Sequence, residues 1–139
     1  HEDVAEFDEE EQEALKTVVV ALSAEARLPA QMEMDARDAE LIESGKEHLV
    51  DTVGCVDCHE YEIEDEDATA PVLTGYGSRD WLIRFIENPE HPKFYGEKND
   101  RMPNFGEEGI LTDAEIGYVA DWLRGDWYEP PVKVAATEE

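Results

Sequence analysis

Two thiols three residues apart, followed at once by an imidazole, concentrate the reactive side chains of this sequence in Cys55-Val56-Asp57-Cys58-His59. A Cys-x-x-Cys pair alone serves three chemistries: disulfide exchange, half of a zinc site, or attachment of a porphyrin. Exchange needs no adjacent histidine and expects a thioredoxin-type strand and helix around the pair. Zinc needs two more ligands at a similar spacing. The sequence has no second cysteine pair, and His48 and His91 are not paired with other histidines at helical spacing. A histidine directly after the second cysteine is the haem-attachment signature. The spacing has a geometric reason. One helical turn separates residues three apart, which matches the span between two vinyl groups on one porphyrin edge, and the next residue then projects beneath the iron. The motif predicts one covalent haem c, with His59 as an axial ligand.

What the iron does depends on its sixth position. An open position permits ligand binding, whereas a filled one favours electron transfer, and a methionine opposite histidine raises the potential. Met102 is the candidate, in Asn99-Asp100-Arg101-Met102-Pro103-Asn104-Phe105, a segment rich in turn formers. A methionine on a loop before proline suits ligation better than core filling. Met32 and Met34 precede the attachment motif and read as packing residues. His91, between Pro89 and Pro92, reads as a surface residue. His48 reads as exposed or packed, and His1 starts the chain.

The elements around these residues divide the chain into four stretches. An acidic amphipathic helix is expected over 8–27, with Leu15, Val18, Val19 and Leu22 at spacings of three and four. Asp8 and Glu11 have capping-box spacing, and Pro29 is read as the stop. A connector covers 28–36. In domain terms, 1–37 is the acidic helix and connector, 38–129 the haem domain, and 130–139 an extended tail. Aligned without gaps, Phe7-Asp8-Glu9-Glu10-Glu11 matches Leu111-Thr112-Asp113-Ala114-Glu115, and Leu15, Val18 and Val19 fall on Val119, Trp122 and Leu123. Two readings of this weak repeat stand. Either the N-terminal stretch is the remnant of a preceding haem repeat, or two acidic amphipathic helices simply align.

Composition limits the partners. The net charge of −26 over 139 residues opposes nucleic-acid binding, which needs Lys and Arg against phosphates, and opposes docking on an anionic bilayer. The acids cluster. Eight fall in 2–13, where no Lys or Arg occurs, and six fall in the eight residues 60–67. This charge is either a solvated, salt-adapted surface or a docking field for a basic partner. No run approaches the ~18 apolar residues of a membrane span, and no secretory signal pattern is present. Any leader or anchor is therefore expected outside this stretch or already removed.

With these residues in place, 38–128 resembles class I cytochrome c. The matching features are Glu43-Ser44-Gly45-Lys46-Glu47-His48-Leu49 before the motif, the motif itself, Ala70-Pro71-Val72-Leu73, a helix over 78–88 with Trp81, Met102-Pro103, and Ile116-Gly117-Tyr118-Val119-Ala120-Asp121-Trp122-Leu123. The resemblance implies an all-α fold wrapped around one haem, here with an extra N-terminal helix. It implies that the Pro71 carbonyl orients His59, that Met102 is the distal ligand, and that Leu73, Tyr76, Trp81 and Phe105 belong to the haem pocket. Tyr76 and Trp81 would line the haem or bond a propionate, or serve as ordinary core. It also implies a close crossing of first and last helices, with Gly45 admitting Trp122. Leu49 departs from the aromatic that the family often has there.

The stretch from His91-Pro92-Lys93-Phe94-Tyr95-Gly96 to Met102 is similar to cytochrome c domains joined to quinol-oxidising cytochrome b complexes. The implied role is single-electron transfer in a respiratory chain rather than enzymatic turnover, on the periplasmic or equivalent side of an energy-transducing membrane. The expected partner is a redox protein with a basic docking surface, with a membrane cytochrome complex as one candidate. Two alternatives stay open: a haem sensor with a displaceable Met102, and a structural haem subunit of a respiratory complex.

Overall fold

The computed structural model describes residues 7–126, and these are helical with no strands among them. His1, the tail from Glu129 and the boundary at 129 lie outside the described residues. The helices are α1 (Glu9–Glu25), α2 (Met32–Arg37), α3 (Ala39–Asp51), α4 (Arg79–Glu87) and α5 (Asp113–Arg124). Single turns of 3₁₀ helix occur at Pro29–Gln31, Cys55–Asp57 and Gly96–Lys98. No helix among the described residues is long and apolar enough to cross a membrane.

Start signals are local. Asp8 accepts from the amides of Glu10 and Glu11 while Glu11 reaches back to the Asp8 amide, a complete capping box. Thr112 and Glu115 repeat it at α5, and Ser78 caps α4 through the Trp81 amide. The stop of α1 differs from the expected one. The helix ends at Glu25, and Arg27 takes a left-handed backbone (φ 51°) that turns the chain before Pro29 is reached. Pro29 instead opens a 3₁₀ turn, where its missing N–H is harmless. The expected connector contains α2, which buries none of its residues. Met32 and Met34 are exposed there, at 64% and 48%, so they are not packing residues.

Two helix pairs organise the molecule: α1 packs along α3, and α5 along α4. The first pair corrects the expected crossing. At Gly45 an added Cβ would meet the Thr17 carbonyl oxygen, with the Thr17 carbonyl carbon at 2.7 Å and Ala21 Cβ at 2.8 Å. The glycine therefore admits the backbone of α1, not Trp122, whose side chain is 65% exposed on α5. This close approach also shifts the buried face of α1. Ala14, Val18 and Ala21 are buried while Val19 is exposed, because only small side chains fit between helices crossing at a glycine. The Thr17 hydroxyl donates to the Ala14 carbonyl, so its bond to His48 Nδ1 (2.7 Å) requires the imidazole to donate.

The second pair is joined by Arg79 on α4 and Asp121 on α5, with Nε–Oδ1 at 2.6 Å. The core follows the same division. Val18, Leu49, Tyr61 and Leu73 form one cluster, with Leu22, Val53, Cys55 and Val56 against it. Val72, Trp81 and Phe94 form another, with Leu82 and Phe85. Arg124 joins the two halves. Its guanidinium, with 7% of the side chain exposed, donates to the carbonyls of Ala26, Arg27 and Gly77 at 2.6–3.1 Å. A charged donor filling three backbone acceptors compensates its own burial.

Candidate functional site

The attachment motif begins where α3 ends. Gly54 sits at φ 67°, a left-handed conformation that a residue with a side chain adopts only under strain. It turns the chain into the one-turn helix Cys55–Asp57, where the amides of Cys58 and His59 both donate to the Cys55 carbonyl (3.3 and 3.0 Å). Cys55 and Cys58 are thus one turn apart. Both are half-buried and neither is in a disulfide.

Segment 58–60 then runs beside 69–73. The amides of Thr69 and Ala70 donate to the Cys58 carbonyl (3.0 and 2.9 Å), and the Leu73 amide donates to the Glu60 carbonyl (2.9 Å). This pairing sets Pro71 against His59: the ring Nδ1 lies 2.6 Å from the Pro71 carbonyl oxygen. A carbonyl can only accept, so Nδ1 carries the proton and the lone pair of the neutral ring is on Nε2. An imidazole fixed this way is oriented for a metal at Nε2.

Segment 70–73 is itself held rigid. Besides the bonds from Ala70, to Pro71 and from Leu73, the Val72 amide donates to the Lys93 carbonyl (2.8 Å) and the Val72 carbonyl accepts from Trp81 Nε1 (2.9 Å). Trp81 is buried, edge-on to Tyr76 and Phe94 at centroid distances of 4.9 and 5.2 Å. Its single N–H is committed to Val72, so Trp81 packs behind the segment 70–73. Tyr76 is 46% exposed. Leu73 is buried beside Cys55 and Val56.

Met102 and Phe105, both half-buried, sit on a separate loop between the turn Gly96–Lys98 and α5. The Asn99 side chain bonds both backbone groups of Met102, and the Gly106 amide donates to the Glu87 carbonyl (3.1 Å). Lys98 Nζ donates to the Thr69 carbonyl (2.8 Å), tying this loop to the segment that holds His59.

Charge around the motif is less uniform than the sequence suggests. In the run 60–67, Tyr61 is buried. Lys93 Nζ spans Glu60 (3.1 Å) and Glu64 (2.9 Å), and its hydrogen bonds hold the Glu64 carboxyl below the usual range. The remaining acids of the run are exposed. Burial pushes the Cys55 thiol up, partly opposed by its own backbone N–H and reinforced by Asp57. A disulfide-exchange cysteine needs the opposite, a stabilised thiolate. Among the described residues no group of three His, Cys, Asp or Glu side chains is placed to hold a metal ion.

Sequence reasoning missed Asn99, Lys98, Glu25 and Arg124. The Glu25 carboxylate accepts from the Tyr61 hydroxyl (3.1 Å) and the Gly75 amide (2.6 Å), fastening α1 to the loop after Leu73. The partners of Lys98 and Glu25 and the backbone partners of Arg124 are remote in sequence and leave no local mark, whereas Asn99 bonds Met102 three residues on, a turn-forming spacing that could have marked it.

The donor set fits a covalent haem: two unpaired thiols one turn apart, an imidazole with its lone pair on Nε2, and a thioether on a pinned loop. Cys55 and Cys58 would hold the porphyrin, and His59 and Met102 the iron. No protein-family model matches the chain, and comparison with curated proteins and with solved structures gave no significant match.

Proposed function

We propose that the chain is a c-type cytochrome of the class I kind, carrying single electrons in a respiratory chain as a domain or partner of a quinol-oxidising cytochrome b complex. The observation that carries this reading is His59 bonded through Nδ1 to the Pro71 carbonyl, one residue beyond two unpaired thiols at helical-turn spacing. Each thiol would add its S–H across a vinyl group, with nothing leaving. The bound haem supplies one-electron exchange at iron. The chain's own residues hold that iron's surroundings still. Pro71 fixes the imidazole, and Val72 is braced by Trp81 and Lys93. Low mobility around the site favours electron transfer, because little has to rearrange when the charge changes. Covalent attachment of this type belongs to the periplasmic or equivalent side of an energy-transducing membrane.

The exposed acids of 62–67 follow the motif directly, which supports a partner with a basic surface. Stopped-flow rates with such a partner fall as salt is added, and a flat salt series removes the docking role. The test of the whole reading is expression in a host competent for haem attachment. Intact mass should increase by one haem, Cys55→Ala and Cys58→Ala should each remove a thioether, and the oxidised protein should show a weak methionine–iron band at the red end of its spectrum. An unmodified chain with both thiols free overturns it. The half-buried position of Met102 on a loop is the feature that favours the sensor alternative, for which the reduced protein binds carbon monoxide readily at neutral pH; the carrier does not.

A further inference from the structure

We infer that Asn99 is the positioning residue for Met102, a role that rests on the haem reading above. Its carboxamide bonds the methionine backbone on both sides: Nδ2 donates to the Met102 carbonyl at 2.7 Å, and Oδ1 accepts from the Met102 amide at 3.2 Å. One side chain thereby closes the loop Asn99-Asp100-Arg101-Met102 and fixes the Cα from which the thioether projects. Asn99 is itself anchored. Its amide donates to the Gly96 carbonyl (3.1 Å), and its neighbour Lys98 reaches the Thr69 carbonyl (2.8 Å), two residues before the Pro71 that orients His59.

The two ligand-bearing segments are therefore set relative to each other by consecutive residues, Lys98 to the His59 side and Asn99 to Met102. Pro103 extends the effect, since its ring restricts the backbone of Met102. A loop without helix or strand has no ladder to hold a ligand in place, and a carboxamide that mimics a backbone turn substitutes for one. Aspartate cannot do the same, because it accepts from the amide and cannot donate to the carbonyl.

The experiment uses the haem-loaded full chain. Asn99→Ala should raise the rate of carbon monoxide binding to the reduced protein by about tenfold or more, from the loss of two hydrogen bonds that each favour the closed loop several-fold. It should weaken the methionine–iron band and speed hydrogen exchange at the Met102 amide. Asn99→Asp, which keeps the bond from the Met102 amide but sets a carboxylate oxygen against the Met102 carbonyl, should also bind carbon monoxide faster than wild type. Equal rates and bands for wild type and Asn99→Ala, with the band present in both, overturn the inference and leave the haem reading standing. A wild-type protein that carries haem but shows no methionine band fails the Met102 assignment itself, and with it the role of Asn99.

Discussion

Replacing Gly45 with alanine tests the α1–α3 crossing at its tightest point. The new Cβ would lie 2.7 Å from the Thr17 carbonyl carbon, where ordinary contact begins near 3.4 Å, and nearer still to the Thr17 oxygen. The obstruction is backbone, so the helices must part by roughly 0.7 Å or more. A gap of that size forfeits about a quarter to a half of the attraction between facing atoms. The seam holds Ala14, Val18, Ala21, Ile42 and Leu49, all buried, and complete burial of one large aliphatic chain is worth about 1.5–3 kcal/mol. The loss comes to about 3–4 kcal/mol, against a gain of about 1 kcal/mol from replacing a helical glycine. The net cost is about 2–3 kcal/mol, or about 10 °C in midpoint for a domain of this size. Gly117→Ala is the internal control. It is also a buried helical glycine, but its Cβ would meet only the tip of Arg79 at 3.0 Å, a flexible group. That variant should match wild type or gain up to about 1 kcal/mol. Thermal and urea unfolding followed by far-UV circular dichroism reads both. Coincident midpoints for the two variants would refute the crossing.

Trp81→Phe keeps the ring packing but orphans the buried Val72 carbonyl, so stability should fall by about 1–3 kcal/mol; an unchanged midpoint in urea unfolding contradicts that bond. Burial, followed by the charge and hydrogen bond of Glu25, raises the Tyr61 hydroxyl well above its ordinary value. The folded state thus holds this proton more tightly than the unfolded one, and its stabilisation, complete below about pH 10, is lost as pH rises beyond that. Tyr61→Phe should flatten the alkaline arm of a stability–pH curve, and an arm as steep as wild type's would exclude Tyr61 as its source. A chain beginning at Asp38 should lose cooperative unfolding, since it lacks the α1 residues that cover Gly45 and Leu49; a sharp transition at the wild-type midpoint would show α1 to be dispensable.

Signals that are local were legible in the sequence. The capping box at Asp8 and the one-turn spacing of Cys55 and Cys58 depend on neighbours in sequence, whereas the Pro71 carbonyl at His59 was expected only from the resemblance, and the box at Thr112 emerges with the fold. Element ends were less legible, because α1 stops through the left-handed Arg27 rather than through Pro29. Helix α2 carries no side-chain cap and no buried residue that would betray it. Trp81 illustrates a different limit. Its type and place suit a pocket aromatic, but the partner of its N–H is decided by the fold, and Val72 takes it.

The weak repeat between 7–11 and 111–115 shows why the partner of Gly45 could not be read from pattern alone. At that offset, the residues α1 buries, Ala14 and Val18, correspond to Tyr118 and Trp122, which α5 exposes. Conversely, the residues α5 buries, Ile116, Gly117 and Ala120, correspond to Gln12, Glu13 and Lys16, which are exposed on α1. The two helices share a start signal and an apolar rhythm, yet use opposite faces. A glycine on α3 needs small side chains and a bare carbonyl opposite it, which Ala14, Thr17, Val18 and Ala21 provide. On α5 the corresponding face carries Tyr118 and Trp122, too bulky for the spacing at Gly45. Steric size at one crossing therefore decides which of two similar helices covers the first core cluster, and it makes α1 part of the packing around Cys55 rather than an appendage.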